Sequence, residues 1–185
     1  RKKWGQNFIQ DPNIIRKIVA QLDPQPHDVV IEIGPGKGAL TFELAKQVQT
    51  VHAIEIDPLL VTYLNEHVTE NINIIHQDIL DFDLNQFSSD VKIIGNLPYN
   101  ITSPIIFKFL NCTSWSKMVF MTQKEVAQRI TSIHGNKTYG RLSVMTQALS
   151  DVKLSFTVPK TVFFPQPDVT SAILTFEPIN ATIPD

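Results

Sequence analysis

The sequence predicts an α/β protein built on one open, mostly parallel sheet with an antiparallel edge. Three observations predict it. Short, nearly continuous apolar runs recur along the chain, helix-like stretches separate the earlier ones, and the last two follow each other with no long helix between them. Strands apolar on both sides belong in a sheet covered on both faces, the habit of parallel sheets joined by crossover helices. With 185 residues the chain fits one domain, long enough to bury roughly 70% of its unfolded surface.

Residues 12–22 read as an N-terminal helix, set off from the first strand by Pro24-Gln25-Pro26-His27-Asp28. The strand VVIEI (29–33) runs through a glycine loop into a stretch with Leu40, Leu44 and Val48 at helical spacing,. VHAIEI (51–56) leads to a helix whose first turn suits Pro58,. INIIHQ (72–77), VKIIG (91–95) and KMVFMT (117–122) continue the sheet. VKLSFTV (152–158) and SAILTFE (171–177) are expected to form the antiparallel pair. Residues 1–178 are read as one domain and 179–185 as the start of a linker.

Composition narrows the class. A hydrophobic content of 43% with 18% charge is that of an ordinary globular protein,. No run of about 18 apolar residues is present, so no membrane span is expected,. The opening RKKWGQNFIQ lacks the apolar core of a secretory signal,. Without such a signal the Asn-X-Thr matches at Asn100, Asn111, Asn136 and Asn180 are chance,. Cys112 stands alone and the five histidines (27, 52, 67, 76, 134) are scattered, so neither an internal disulfide nor a metal site is expected,. A cytoplasmic location follows as the expectation.

The net charge of −2 hides a polarity along the chain. Residues 4–90 hold 4 basic and 13 acidic residues, whereas 91–160 hold 9 basic and 2 acidic, and Arg1, Lys2 and Lys3 add a basic start. A basic half on an acidic whole suggests a nucleic acid or phosphate partner on one face; ordinary solvated helix faces are the competing explanation.

Chemistry concentrates at strand ends. Gly34, Gly36 and Gly38 follow the first strand and open a helix, where free N–H groups and close backbone approach suit a ligand,. Their spacing, G-x-G-x-G, is not the dinucleotide fingerprint G-x-G-x-x-G. Glu55 closes the second strand, where a carboxylate can accept both hydroxyls of a ribose,. Asp78 closes the third, placed to meet a base edge; with Glu32 these acids line the crevice at which open α/β sheets bind ligands,. Helix capping is the alternative for Asp57 and Asp78.

The end of the fourth strand carries Asn96-Leu97-Pro98-Tyr99. Pro98 fixes its own φ and biases Leu97 toward extended backbone, so the Asn96 amide and nearby carbonyls point in set directions. Two acceptors suit an exocyclic amine with two N–H donors, and Tyr99 can stack on a planar base. Together they describe a pocket for a flipped-out purine. Drawing both N–H bonds toward acceptors localises the lone pair on N6 for attack on a sulfonium methyl, with no activated Ser, Cys or His required. A simple proline turn is the bland alternative.

The set GQNFI, EIGPGKGALT, AIEID, QDIL, GNLPYNIT, MTQKEVAQRI, YGRLSV and FFPQPDVTSAI, in order from about residue 4 to 177, resembles the small-subunit ribosomal RNA adenine dimethyltransferases of the KsgA type. The resemblance implies a Rossmann-like class I methyltransferase using S-adenosyl-L-methionine. It implies that Asn7 and Ile9 touch the cofactor with Gln6 nearby, that Gly34 approaches its methionine end, and that Gly36, Ile56 and Ile79 also bind it. Glu55 would serve the ribose hydroxyls, Asp78 the adenine amine, and Asn96 both sulfonium and target N6. Leu97 and Pro98 complete the catalytic loop, Tyr99 stacks on the target, and Phe163 holds the second stacking position, with core packing as its alternative. The substrate implied is two adjacent adenosines in the 3′-terminal hairpin of small-subunit rRNA, in the immature 30S-type subunit, with the enzyme a monomer. Arg129, Lys137 and Arg141 are candidates for phosphate contact. Two departures stand out: Asp168 where the family usually has lysine, and a family C-terminal helical domain to which 179–185 would lead. Competing functions are the Erm-type large-subunit rRNA methyltransferases, a non-catalytic rRNA-binding assembly factor, and a nicotinamide dehydrogenase that would leave Asn96 to Tyr99 unexplained.

Overall fold

The computed structural model describes residues 6–87 and 90–179. The basic cluster at 1–3 and most of the expected linker lie outside them. A two-residue strand, β1 (Phe8–Ile9), precedes helix α1 (Pro12–Gln21). Asp11 caps α1 by accepting the N–H groups of Asn13 and Ile14 at 2.8 and 3.2 Å, and Pro12 occupies the first turn where its missing N–H costs nothing,. There follow β2 (Val29–Ile33), α2 (Ala39–Ala45), β3 (Thr50–Glu55), α3 (Pro58–Asn65) and β4 (Ile72–His76). The second half holds β5 (Val91–Asn96), α4 (Thr102–Leu110), β6 (Trp115–Gln123), α5 (Lys124–Ile130) and α6 (Arg141–Leu149). Strands β7 (Ser150–Val158), β8 (Phe163–Phe164) and β9 (Ser171–Pro178) complete it.

Seven strands form one sheet in the order β4-β3-β2-β5-β6-β9-β7. Strands β4 through β6 pair in parallel, while β9 runs antiparallel to both β6 and β7. The expected antiparallel pair is therefore β7 with β9. Chain order reverses where β2 lies between β3 and β5, the topological switch point at which such sheets leave a crevice,.

Burial on both faces explains the unbroken apolar runs. Neighbouring residues of one strand serve opposite layers: Ile31 and Ile93 join one core cluster with Phe109, Phe120 and Phe176, while Val30 and Ile94 join another with Leu44, Val51 and Val119,. The strand expected at 117–122 is longer, because buried Trp115 pairs with Val91 across a register shift between Val91 and Lys92. The helical run toward Val48 stops at Ala45, yet Val48 stays buried because its N–H still reaches the Leu44 carbonyl at 3.2 Å. Gly95 lets β5 pass close to β2: a Cβ there would sit 2.7 Å from the Ile33 carbonyl oxygen,.

The basic half is less free than its composition suggests. Lys92 lies 2.7 Å from Asp28 and also donates to the Asp23 carbonyl at 2.6 Å, with both partners of the ion pair largely buried. Lys117 pairs with Glu177, Lys153 with Asp151 and Arg129 with Glu125. Among the described residues, Lys108, Lys124, Lys137, Arg141 and Lys160 of that half form no ion pair. Arg129, expected on the RNA face, is thus already paired one helical turn away.

Candidate active site

A cleft of about 690 Å³ opens at the carboxyl ends of β2 to β5, within the roughly 300–1,000 Å³ typical of cofactor and ligand sites. The residues expected at the cofactor and the catalytic loop line it: Gln6, Asn7, Ile9, Gly34, Gly36, Glu55, Ile56, Asp78, Ile79, Asn96, Leu97, Pro98, Tyr99 and Phe163, with Glu32 beside them; Gly38 of the glycine loop does not. Arg129, Lys137, Arg141 and the five histidines do not.

One wall is the glycine loop. Gly34 donates its N–H to the Ile54 carbonyl at 3.0 Å, which ties the loop to β3. Gly36 takes a φ of 59°, in the left-handed region that disfavours other residues, and a Cβ on it would meet the Phe8 ring at 3.0 Å,. Phe8 thus lies against the loop, and Lys37 Nζ stands 5.3 Å from the centre of the same ring,. Phe8 escapes a motif reading because its role depends on where β1 is brought by its antiparallel pairing, Phe8 with Phe164 and Ile9 with Phe163.

The acids differ more than their shared strand-end positions suggest. Glu55 is 4% exposed and accepts three backbone N–H groups, from Gly36 at 3.2 Å and from Ile56 and Asp57 at 2.9 Å each. Burial pushes its pKa up, and the three N–H bonds pull against that rise,. Glu32 lines the cleft with the other two acids but differs from them in its setting. It is the penultimate residue of β2, buried, and accepts a hydrogen bond from the Thr41 hydroxyl at 2.5 Å. Burial raises its pKa to about 8, against the Thr41 bond and with help from the Glu55 charge, so at neutral pH it is held protonated,. Asp78 accepts the Leu80 N–H at 2.9 Å, and Asp57 caps α3 through the Leu59 N–H at 2.9 Å. The capping alternative holds for Asp57. Asp78 closes a turn and lines the cleft as well.

Beside the glycine loop stands the loop after β5, whose Asn96 carbonyl oxygen lies 3.7 Å from where a Cβ on Gly34 would sit. Asn96 Nδ2 donates to the Asn7 carbonyl at 3.5 Å, which turns the amide so that its oxygen is the acceptor left for a ligand,. Buried Leu97 anchors the loop through its N–H, bonded to the Met121 carbonyl at 3.0 Å. The Pro98 carbonyl accepts from Ile101 N–H at 3.2 Å and Thr102 Oγ1 at 3.0 Å, so it is spent on starting α4. Of the two carbonyls, that of Leu97 receives no hydrogen bond among the described residues. Tyr99 is 38% exposed, with its hydroxyl 3.5 Å from Ser171 Oγ. Phe163 is 5% exposed and belongs to one core cluster with Ile9, as core packing would have it, and it also forms part of the cleft wall. Its neighbour Phe164 is 65% exposed.

A parallel sheet reversing at β2, a glycine loop after that strand and an acid at the end of the next define a Rossmann-like class I methyltransferase,. Comparison gives the family. The model of the ribosomal RNA adenine dimethylases matches residues 1–185. The ribosomal RNA small subunit methyltransferase A of Francisella tularensis subsp. novicida is 45% identical over 98% of this chain and 72% of its own length. That of Ligilactobacillus salivarius is 45% identical over 94% and 62%. The structure of the 23S rRNA methyltransferase ErmE superposes with a TM-score of 0.86 at 33% identity, covering 93% of this chain and 70% of that one. A dimethyladenosine transferase from Plasmodium falciparum gives 0.85 at 28%, covering 92% and 63%. The chain belongs to the ribosomal RNA adenine dimethylase family. It is an rRNA adenine dimethyltransferase whose methyl donor is S-adenosylmethionine.

Among the described residues no helix is long and apolar enough to cross a membrane.

Proposed function

We propose that the enzyme dimethylates N6 of two adjacent adenosines in the 3′-terminal hairpin of small-subunit rRNA, acting as a monomer on the immature 30S-type subunit in the cytoplasm. One observation carries the reading: Asn96 and Tyr99 face the glycine loop and Glu55 within one cleft. The choice of subunit is supported by the 45% identity to relatives named for it.

The residues fit the methyl donor. Gly36 has a left-handed backbone and a Cβ on it would crowd the Phe8 ring, Glu55 is a buried acceptor bonded to its N–H, and Asp78 and Ile79 also line the cleft. S-adenosylmethionine supplies a methyl group on a positively charged sulfur. Gly34 and Gly36 hold its methionine end beneath Gln6, Asn7 and Ile9, Glu55 and Ile56 its ribose, and Asp78 and Ile79 its adenine.

Asn96 Oδ1 and the Leu97 carbonyl accept the two N–H bonds of the target amine. The pair pulls the nitrogen toward tetrahedral geometry and frees its lone pair. Positive charge developing on N6 then lies against two preorganised oxygens, the kind of electrostatic support that carries most catalysis. Pro98 holds the loop rigid, and Tyr99 with Phe163 sandwich the flipped base. Loop adenosines are cheap to splay out, which favours a hairpin substrate.

The test is transfer of labelled methyl groups from S-adenosylmethionine to immature small and large subunits, followed by nucleoside analysis. N6,N6-dimethyladenosine at two adjacent positions of small-subunit RNA is the expected result. A second reading, methylation of large-subunit RNA, is favoured by the ErmE superposition at 33% identity, and label on that RNA alone would select it. Cofactor binding with label on neither would point to an assembly factor.

A further inference from the structure

The turn following β4 carries Asp78 and Ile79 into the cleft. Several bonds close this turn on itself: Asp78 Oδ1 accepts Leu80 N–H at 2.9 Å, the Asp78 carbonyl accepts Asp81 N–H at 3.0 Å, and Gln77 Nε2 donates to the Asp81 carbonyl at 3.2 Å. One charged bond reaches it from another element. Lys108 Nζ donates to the Leu80 carbonyl at 2.7 Å, across 28 residues of sequence.

Lys108 sits in the last turn of α4, where a lysine commonly serves the helix's own unpaired carbonyls,. Here those carbonyls have other partners: Asn111 Nδ2 donates to that of Phe107 and Cys112 Sγ to that of Lys108 itself. The ammonium is spent on the neighbouring turn instead. Ile79 also belongs to the same core cluster as Ile105, Ile106 and Phe109 of α4. The other end of α4 is tied to the catalytic loop, through Ile101 N–H and Thr102 Oγ1 on the Pro98 carbonyl. A single helix therefore links the loop that receives the target adenine to the turn at the opposite end of the cleft.

We propose that Lys108 is a positioning residue for the adenine end of the methyl donor, acting by holding the turn that aims Asp78. This rests on the reading of Asp78 as the partner of the cofactor's amine. A turn held in advance saves the entropy of ordering it when the ligand arrives.

The test compares two ligands by calorimetry: S-adenosylhomocysteine, and its analogue with hydrogen in place of the 6-amino group. The proteins are the wild type, Lys108→Met, Lys108→Arg, and Lys108→Gln as a milder variant should methionine unsettle the helix. The wild type is expected to prefer the amine-bearing ligand. Lys108→Met should bind it about threefold to tenfold more weakly, as loss of a partly exposed charged hydrogen bond implies. Its affinity for the analogue should hardly change, so the preference shrinks, and Lys108→Arg should restore it. Full wild-type preference in both Lys108→Met and Lys108→Gln would overturn the proposal, as would equal weakening toward both ligands. A wild type with no preference would remove Asp78 from the adenine site and the proposal with it.

Discussion

Glu55 closes β3 with two tasks, and they predict different losses. Its carboxylate gathers the N–H groups of Gly36, Ile56 and Asp57, and in the proposed function it accepts the ribose hydroxyls. Glu55→Ala should weaken cofactor binding by about 2–4 kcal/mol, the loss expected for a buried charged hydrogen-bonding group; calorimetry with S-adenosylhomocysteine reads it directly. Glu32 predicts a pH effect instead. Its folded pKa of about 8 exceeds the ordinary 4.5, so between those values the folded chain keeps a proton that the unfolded chain has released. Stability should therefore fall as pH rises from about 4.5 to about 8, by on the order of 3–5 kcal/mol from this group. Glu32→Gln should flatten that decline in denaturant titrations, and an unchanged slope would show Glu32 ionised. The place of Glu55 is legible in sequence because the apolar run of β3 ends on it, beside the glycine loop of the neighbouring strand. The raised pKa of Glu32 is not, since it depends on burial and on the nearby Glu55 charge, which together outweigh the Thr41 hydrogen bond.

The strands announce themselves because both faces are buried: Val30 and Ile31 look opposite ways and neither meets water. The helices are harder to bound, since α2 ends while its apolar spacing continues through Val48 into a turn. The strap β1 with β8 cannot be read from sequence at all, because two residues of strand carry no periodicity. Gly95 joins sequence to geometry at the switch point. Gly95→Ala would drive a Cβ into the Ile33 carbonyl oxygen and the Ile33 Cβ and Cα behind it, and should destabilise the fold by about 1–3 kcal/mol,. Thermal unfolding measures this, and a stability equal to wild type would mean that β2 and β5 can part without cost.

Over the whole molecule, charge counted along the sequence overstates the surface offered to RNA. Lys92 falls in the basic half by sequence, yet Asp28 and the Asp23 carbonyl hold it in the fold. Lys137→Ala and Arg141→Ala should each lower the salt dependence of rRNA binding, by about 0.7–0.9 for each phosphate no longer neutralised. Lys92→Met should leave that slope alone and reduce stability instead. Equal slopes in all three variants would place the RNA face elsewhere. The central claim is that one cleft holds methyl donor and target adenine, with Asn96 between them as an acceptor for the amine. Single-turnover methyl transfer by Asn96→Ala, alongside its affinity for S-adenosylhomocysteine, tests this most directly. The expected result is a rate lower by about 100- to 1,000-fold, as for removal of one preorganised hydrogen-bonding group, with a folded protein that still binds the cofactor product. Methyl transfer at the wild-type rate would contradict it.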